Sequence, residues 1–142
     1  MHTLSPDDLP ARRLPTLTAL VAHHAALAYE SHERLIATGL DANHAITATV
    51  HKRGDRSHVP CRPAELLGPL LASRCVAVAL VHNHPSGSAQ PSAADRAFTA
   101  RMQWACAIVG VRLIDHVIVA SGGWFSFAQQ GLLDAEVPWP VL

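Results

Sequence analysis

The sequence predicts an α/β fold, a single domain built on a mixed β-sheet flanked by helices. Three observations carry that prediction. Residues 75–81, Cys-Val-Ala-Val-Ala-Leu-Val, form an unbroken valine-rich run, the pattern of a strand buried on both faces. Residues 33–50 hold two strand-like runs about an Asp41-Ala42-Asn43-His44 turn, which reads as a hairpin because Asp and Asn can close a turn with their own side chains. A leucine-rich helix over 63–72 lies between them and completes a strand-helix-strand crossover. A length of 142 residues with 49% hydrophobic content suits one domain, divided here into a loose leader (1–13), the folded unit (14–133) and a tail (134–142).

Taken in order, the first helix is expected over 14–28, where Leu17, Leu20, Val21, His24, Ala25 and Leu27 recur at helical spacing. Its paired histidines, His23 and His24, read as partly exposed surface. The hairpin follows as strands 33–40 and 45–50, and His51 to His58 then read as a solvated polar loop. In the helix over 63–72, Pro63 suits the first turn, Leu66, Leu67, Leu70 and Leu71 make the buried stripe, and Pro69 threatens a kink. After the apolar strand, Ser92 is placed as the N-cap of a long helix ending near Val109, with Phe98, Met102, Ala105 and Cys106 facing the core and Arg96 and Arg101 facing water. Gly110 stops it. Two more strands, 111–120 and 124–127, close the fold around Ser121-Gly122-Gly123.

Chemistry concentrates in the stretch 82–95, which reads H-x-H-x7-S-x2-D. Side chains two apart on a strand point to one face, so His82 and His84 can offer two imidazoles to one ion. Asp95 falls at the N3 position of the next helix, so that a strand exit and a helix start converge on one crevice. Ser92-x-x-Asp95 alone is close to an ordinary capping box. Joined to the two histidines, however, it completes a set of three ligands that leaves one coordination place for water, the pattern of a catalytic zinc site. Such a site also needs a base that is not a ligand, and spacing alone does not choose between Glu30 and Glu33.

The run Val81-His82-Asn83-His84-Pro85-Ser86-Gly87 with Pro91-Ser92-x-x-Asp95 resembles the JAMM motif of JAB/MPN+ metalloprotease domains, in the wording of the RadC-like branch. Leu113-Ile114-Asp115-His116-Val117 is similar to that branch's Asp-His strand, and the resemblance runs over about residues 14 to 133. It implies the JAB/MPN architecture, which is related to the layered fold of cytidine deaminases. It further implies Zn2+ held by His82, His84 and Asp95, with Glu33, eight residues before Asp41, as the catalytic glutamate and Ser92 as the donor to the oxyanion. Asp115 and His116 interrupt an apolar run and are expected to support the site or the structure rather than to ligate. The polar loop at 51–58 would flank the active-site groove, and it carries Gly54-Asp55 where related branches show Gly-Thr.

The expected function is therefore hydrolysis of amide bonds in a peptide or protein substrate. A zinc deaminase would want H-x-E followed by P-C-x-x-C, whereas here His84 stands two after His82 and Pro60-Cys61 lacks a second cysteine. The remaining alternative is a non-catalytic, DNA-repair-associated or protein-binding module. Direct nucleic-acid binding is not expected, because 11 basic residues balance 11 acidic ones and no helix-hairpin-helix segment of the kind longer members carry is present. Cys61, Cys75 and Cys106 are odd in number and widely spaced, so they read as buried thiols of a reducing compartment. Without a signal-like or membrane-length apolar run, the sequence predicts a cytoplasmic protein. Trp139 in the tail is a candidate contact with a second copy, as in a homodimer, or a residue packed on its own domain.

Overall fold

The computed structural model describes residues 17–133, so the leader, the first three residues of the expected domain and the tail with Trp139 lie outside the described residues. The elements follow the order α1 (Leu17–His23), a 3-10 helix (Ala25–Tyr29), β1 (Arg34–Leu40), β2 (Ile46–Arg53), α2 (Pro63–Ala72), β3 (Ala77–Asn83), α3 (Ala93–Val109), β4 (Arg112–Ala120) and β5 (Gly123–Ser126). The strands form one sheet in the order β2-β1-β3-β4-β5. β1 is antiparallel to both β2 and β3, β3 and β4 are parallel, and β5 returns antiparallel to β4, which makes the predicted mixed sheet.

Alternation along the strands sorts the core into two layers. On one face Leu35, Ala37, Val78, Leu80 and Leu113 pack against Leu66, Leu67 and Leu70 of α2 and Met102 and Cys106 of α3. On the other Ile36, Leu40, Ala79, Val81, Val117 and Val119 pack against Leu20 and Leu27. Every residue of β3 is buried, as expected of a central strand covered on both sides. β3 also runs further than the apolar stretch, through His82 and Asn83, because their polar atoms find partners inside the protein.

Several local expectations are corrected. The first helix breaks at His24 and continues as a 3-10 turn, although no Gly or Pro marks the break. β2 extends through His51, Lys52 and Arg53, where the sequence predicts loop; it is an edge strand, where charged side chains can alternate outward without breaking the ladder. α2 continues through Pro69 without ending there, and the preceding residue, Gly68, has no Cβ to meet the proline ring. Leu71 is 38% exposed instead of joining the buried stripe. Cys61 is only half-buried, while Cys75 and Cys106 are buried, all three as free thiols. Among the described residues no helix is long and apolar enough to cross a membrane.

His24 is the sharpest correction, being 8% exposed instead of on the surface, and its Nε2 has no hydrogen-bond partner among the described residues. Burial, with the neighbouring His23 and His51 charges, lowers its pKa to about 4. Between that value and the ordinary 6.5 the unfolded chain binds a proton that the folded chain does not. Stability is thus fully present above about pH 6.5 and falls as pH drops toward 4. His24→Leu is expected to flatten this loss by on the order of 1–3 kcal/mol, read as the difference between denaturant midpoints at pH 7 and pH 4.5. An equal loss in both proteins would contradict the assignment.

Candidate metal centre

His82 and His84 share the sheet face of Leu80 and look toward α3, as their spacing requires. Ser92 caps α3: its Oγ accepts the Asp95 N–H at 3.0 Å, and the Asp95 carboxylate accepts the Ser92 N–H at 2.8 Å. This reciprocal box turns the Asp95 side chain back over the end of β3. There Asp95 Oδ2 lies 3.0 Å from His84 Nε2, Asp95 Oδ1 lies 3.3 Å from His82 Nε2, and the two Nε2 atoms are 3.0 Å apart.

The hydrogen bonds behind these atoms set what each presents to the others. The Thr99 hydroxyl donates its one hydrogen to the Asp95 carbonyl at 2.8 Å, so toward His116 Nδ1, 2.6 Å away, it acts as acceptor. His116 is fully buried and its pKa is held well below the ordinary value, first by burial and then by charge on His82. A neutral His116 protonated on Nδ1 leaves Nε2 as an acceptor, and it receives the His82 Nδ1–H at 2.7 Å. The lone pair of His82 is thereby forced onto Nε2. His84 is fixed in the same way, since its Nδ1 donates to the Ser88 carbonyl at 2.8 Å. With both rings neutral, two imidazole lone pairs and a carboxylate converge on one point, an arrangement satisfied either by a proton shared with Asp95 or by a cation at its centre.

Two shifts show the strength of that field. Burial opposes ionisation of Asp95, yet hydrogen bonds with His82 and His84 and the His82 charge hold its carboxyl well below the ordinary range. Burial likewise opposes protonation of His84, yet Asp95, the Ser88 carbonyl and Glu33 raise its pKa. A four-coordinate divalent ion with ligands at about 2.0–2.2 Å has donor atoms roughly 3.3–3.6 Å apart, a few tenths of an ångström more than the observed 3.0–3.3 Å, so small side-chain rotations would open the cluster to one.

Glu33 stands immediately before β1 and is 6% exposed, with Oε1 3.9 Å from His84 Nε2, beyond hydrogen-bond reach. Glu30 is elsewhere, paired with Arg34 at 2.9 Å. The backbone of Glu33 is held from two sides. Its N–H donates to the Asp55 carbonyl at 2.6 Å and its carbonyl accepts from Gly54 N–H at 2.8 Å, so the polar loop serves as an anchor. On the other side Asn83, fully buried between the two histidines in sequence, accepts the Arg34 N–H at 2.6 Å and donates to the His32 carbonyl at 2.9 Å. Burial raises the Glu33 carboxyl above its ordinary value, although the His82 and His84 charges pull against it.

Sequence reasoning missed Asn83 and Thr99, since an amide between two histidines and a threonine inside a helix carry no pattern of their own. His116 and Asp115 separate into distinct tasks. The register slips by one residue between Val78 and Ala79, so that Leu80 faces His116, and the extra residue on β4 turns His116 toward α3. Its ring stacks on Phe127 at 4.9 Å. Asp115 instead accepts from Ser126 Oγ at 2.6 Å, His116 N–H at 2.7 Å and Ala128 N–H at 3.1 Å, tying β4 to β5. The centre opens into a cavity of about 650 Å³, and Cys61 is part of its wall without joining the ligand cluster.

A mixed five-stranded sheet carrying a His-His-Asp cluster of JAMM type defines a JAB/MPN-type domain. The chain belongs to the RadC-like JAB domain family, whose model matches residues 15–132. It is 45% identical over 109 residues to a UPF0758 protein of Bordetella petrii, covering 76% of this chain and 48% of that one. It is 39% identical over 132 residues to a UPF0758 protein of Nitrosococcus oceani, covering 92% of this chain and 58% of the relative. A UPF0758 protein of Trichlorobacter lovleyi is 34% identical over 131 residues, 87% of this chain and 57% of its own. The chain thus spans about half the length of the curated relatives it matches.

The tautomer chain yields a test. Thr99→Val removes the acceptor for the His116 Nδ1–H and leaves a buried donor unsatisfied, at about 1–3 kcal/mol. It is also expected to weaken divalent-metal affinity by about 10–100-fold in chelator competition, with Thr99→Ser restoring most of both. Unchanged affinity in the valine variant would break the proposed link from Thr99 to His82.

Proposed function

We propose that the domain is a zinc-dependent hydrolase of amide bonds, with zinc held by His82, His84 and Asp95 and with Glu33 as general base. The observation that carries this reading is the convergence of three lone-pair donors beside a buried carboxylate that is not itself a member of the cluster. Two imidazoles and one carboxylate are a catalytic zinc donor set, since a fourth place remains for solvent or substrate. Bound there, the ion supplies Lewis acidity that acidifies water and polarises a carbonyl.

The chain's own residues do the rest. Glu33, made more basic by burial, takes a proton from the attacking water and returns it to the leaving amine. One C–O bond forms, one C–N bond breaks, and the products are a carboxylate and an amine. Asn83 and the Gly54-Asp55 backbone hold Glu33 in place, so little reorganisation accompanies the transfer. Ser92 combines two roles: capping uses a lone pair of its oxygen, and its hydroxyl hydrogen remains to stabilise negative charge on the carbonyl oxygen. The substrate we propose is a peptide or protein. Three free thiols suit a reducing compartment and support a cytoplasmic setting.

Glu33→Gln is expected to retain stoichiometric zinc while peptide cleavage falls by about 10²–10⁴-fold, and Asp95→Ala to lose the zinc. Elemental analysis and a peptide-library assay on the same preparations check both; undiminished cleavage in the glutamine variant would remove Glu33 from the base role. Ser92→Ala is expected to lower stability by about 0.5–2 kcal/mol through the lost cap. A fall in turnover, measured where both proteins are fully folded, separates the hydroxyl's chemistry from its capping.

A further inference from the structure

The cavity beside the cluster has a charge pattern that the hydrolytic reading does not use. One wall is a stripe of α3, Ala94, Ala97, Phe98 and Arg101, spaced as one helical face. The opposite wall brings Val59 and Arg62 from the segment leading into α2. Glu33 and Asp95 lie at the metal end, where a divalent cation offsets them. Glu65 also lines the cavity, but Lys52 lies 3.3 Å from one of its oxygens and the Arg62 backbone N–H donates to the other at 2.7 Å. Arg62 and Arg101 are exposed, and neither guanidinium has a carboxylate within ion-pairing distance among the described residues. Beyond the metal end the cavity is therefore mainly apolar, with His58 on its wall and two guanidiniums outside any ion pair: Arg62, whose charge also acts on Glu65, and Arg101 further along α3.

Resting on the hydrolase reading, we infer that the cavity selects a peptide chain bearing a carboxylate two or three residues from the bond cleaved, with apolar residues between. The spacing comes from the helix. Arg101 lies six residues beyond Asp95, a rise of about 9 Å at roughly 1.5 Å per residue. An extended peptide covers that distance in two to three residues at about 3.3 Å each. A guanidinium pairs with a carboxylate in a two-pronged fashion that an amide of the same shape does not reproduce. The carboxylate comes either from an acidic side chain or from the end of the substrate chain.

Calorimetric titration of the zinc-loaded Glu33→Gln protein tests this, because it binds without turnover. The probes are four short apolar peptides of one sequence: three blocked at both ends with Glu, Gln or Lys at the third position, and one ending at that position in Gln with a free carboxylate. The Glu peptide is expected to bind about tenfold more tightly than the Gln peptide, with the advantage shrinking in high salt. The free-ended peptide reports whether a chain terminus serves equally. Added to that protein, Arg62→Glu with Arg101→Glu is expected to reverse the preference toward Lys, while unchanged thermal melting shows the fold intact. Equal binding of Glu and Gln peptides, a preference that survives the double reversal, or no measurable binding by any peptide would overturn the inference. Failure of the hydrolase reading shows separately, as absence of Glu33-dependent cleavage of the Glu peptide by the unaltered protein while its binding preference persists.

Discussion

Convergence of two imidazole nitrogens and one carboxylate on a single point is the constraint around which this molecule is arranged. His82 Nε2, His84 Nε2 and the Asp95 carboxylate stand 3.0–3.3 Å apart, and each is prevented from turning away. His116, fixed by Thr99, holds His82; the Ser88 carbonyl holds His84; the capping box with Ser92 holds Asp95. Such a cluster is satisfied by a proton shared between ring and carboxylate or by a cation in its place, and the surrounding core supplies the rigidity that keeps it assembled. Thr99 is economical here, because it bonds the Asp95 carbonyl and the His116 ring together, so one side chain couples the helix-borne ligand to a strand-borne one.

The sheet order explains how so few residues can do this. β3 is central, with β1 antiparallel on one side and β4 parallel on the other. Its exit therefore meets the entrance to β1, where Glu33 stands, and the polar part of β4, where His116 stands. Asn83, pointing to the opposite face from its two histidine neighbours, clamps the backbone on both sides of Glu33. Strand alternation, one bulge and one helix cap are enough to bring these side chains together.

Much of this was legible in the sequence, and what was not has physical reasons. His82 and His84 were readable because period-two alternation fixes their common face, and Asp95 because Ser92-x-x-Asp95 fixes a helix start. The central strand and the hairpin were readable from composition and turn chemistry. Glu33 was not separable from Glu30 by spacing, since what distinguishes them is a long-range clamp from Asn83 and Gly54-Asp55. His116 could not be aimed from alternation, because the register slip in β4 resets it. His24 is illegible for the opposite reason: a polar residue on a helix predicts exposure, and only tertiary packing buries it, with no partner for Nε2 among the described residues. The polar end of the edge strand β2 resembles a loop in sequence, although its ladder with β1 continues to Arg53.

In the proposed site the three donors enclose one divalent ion with a coordination place left open. X-ray absorption at the zinc edge on stoichiometrically loaded protein measures this directly. The spectrum is expected to show two imidazole nitrogens and one carboxylate oxygen at about 2.0–2.2 Å, with a further light-atom ligand that fluoride or another small anion displaces. A sulfur ligand, a fourth protein ligand that does not exchange, or zinc that binds equally well after His82 and His84 are replaced together would contradict it.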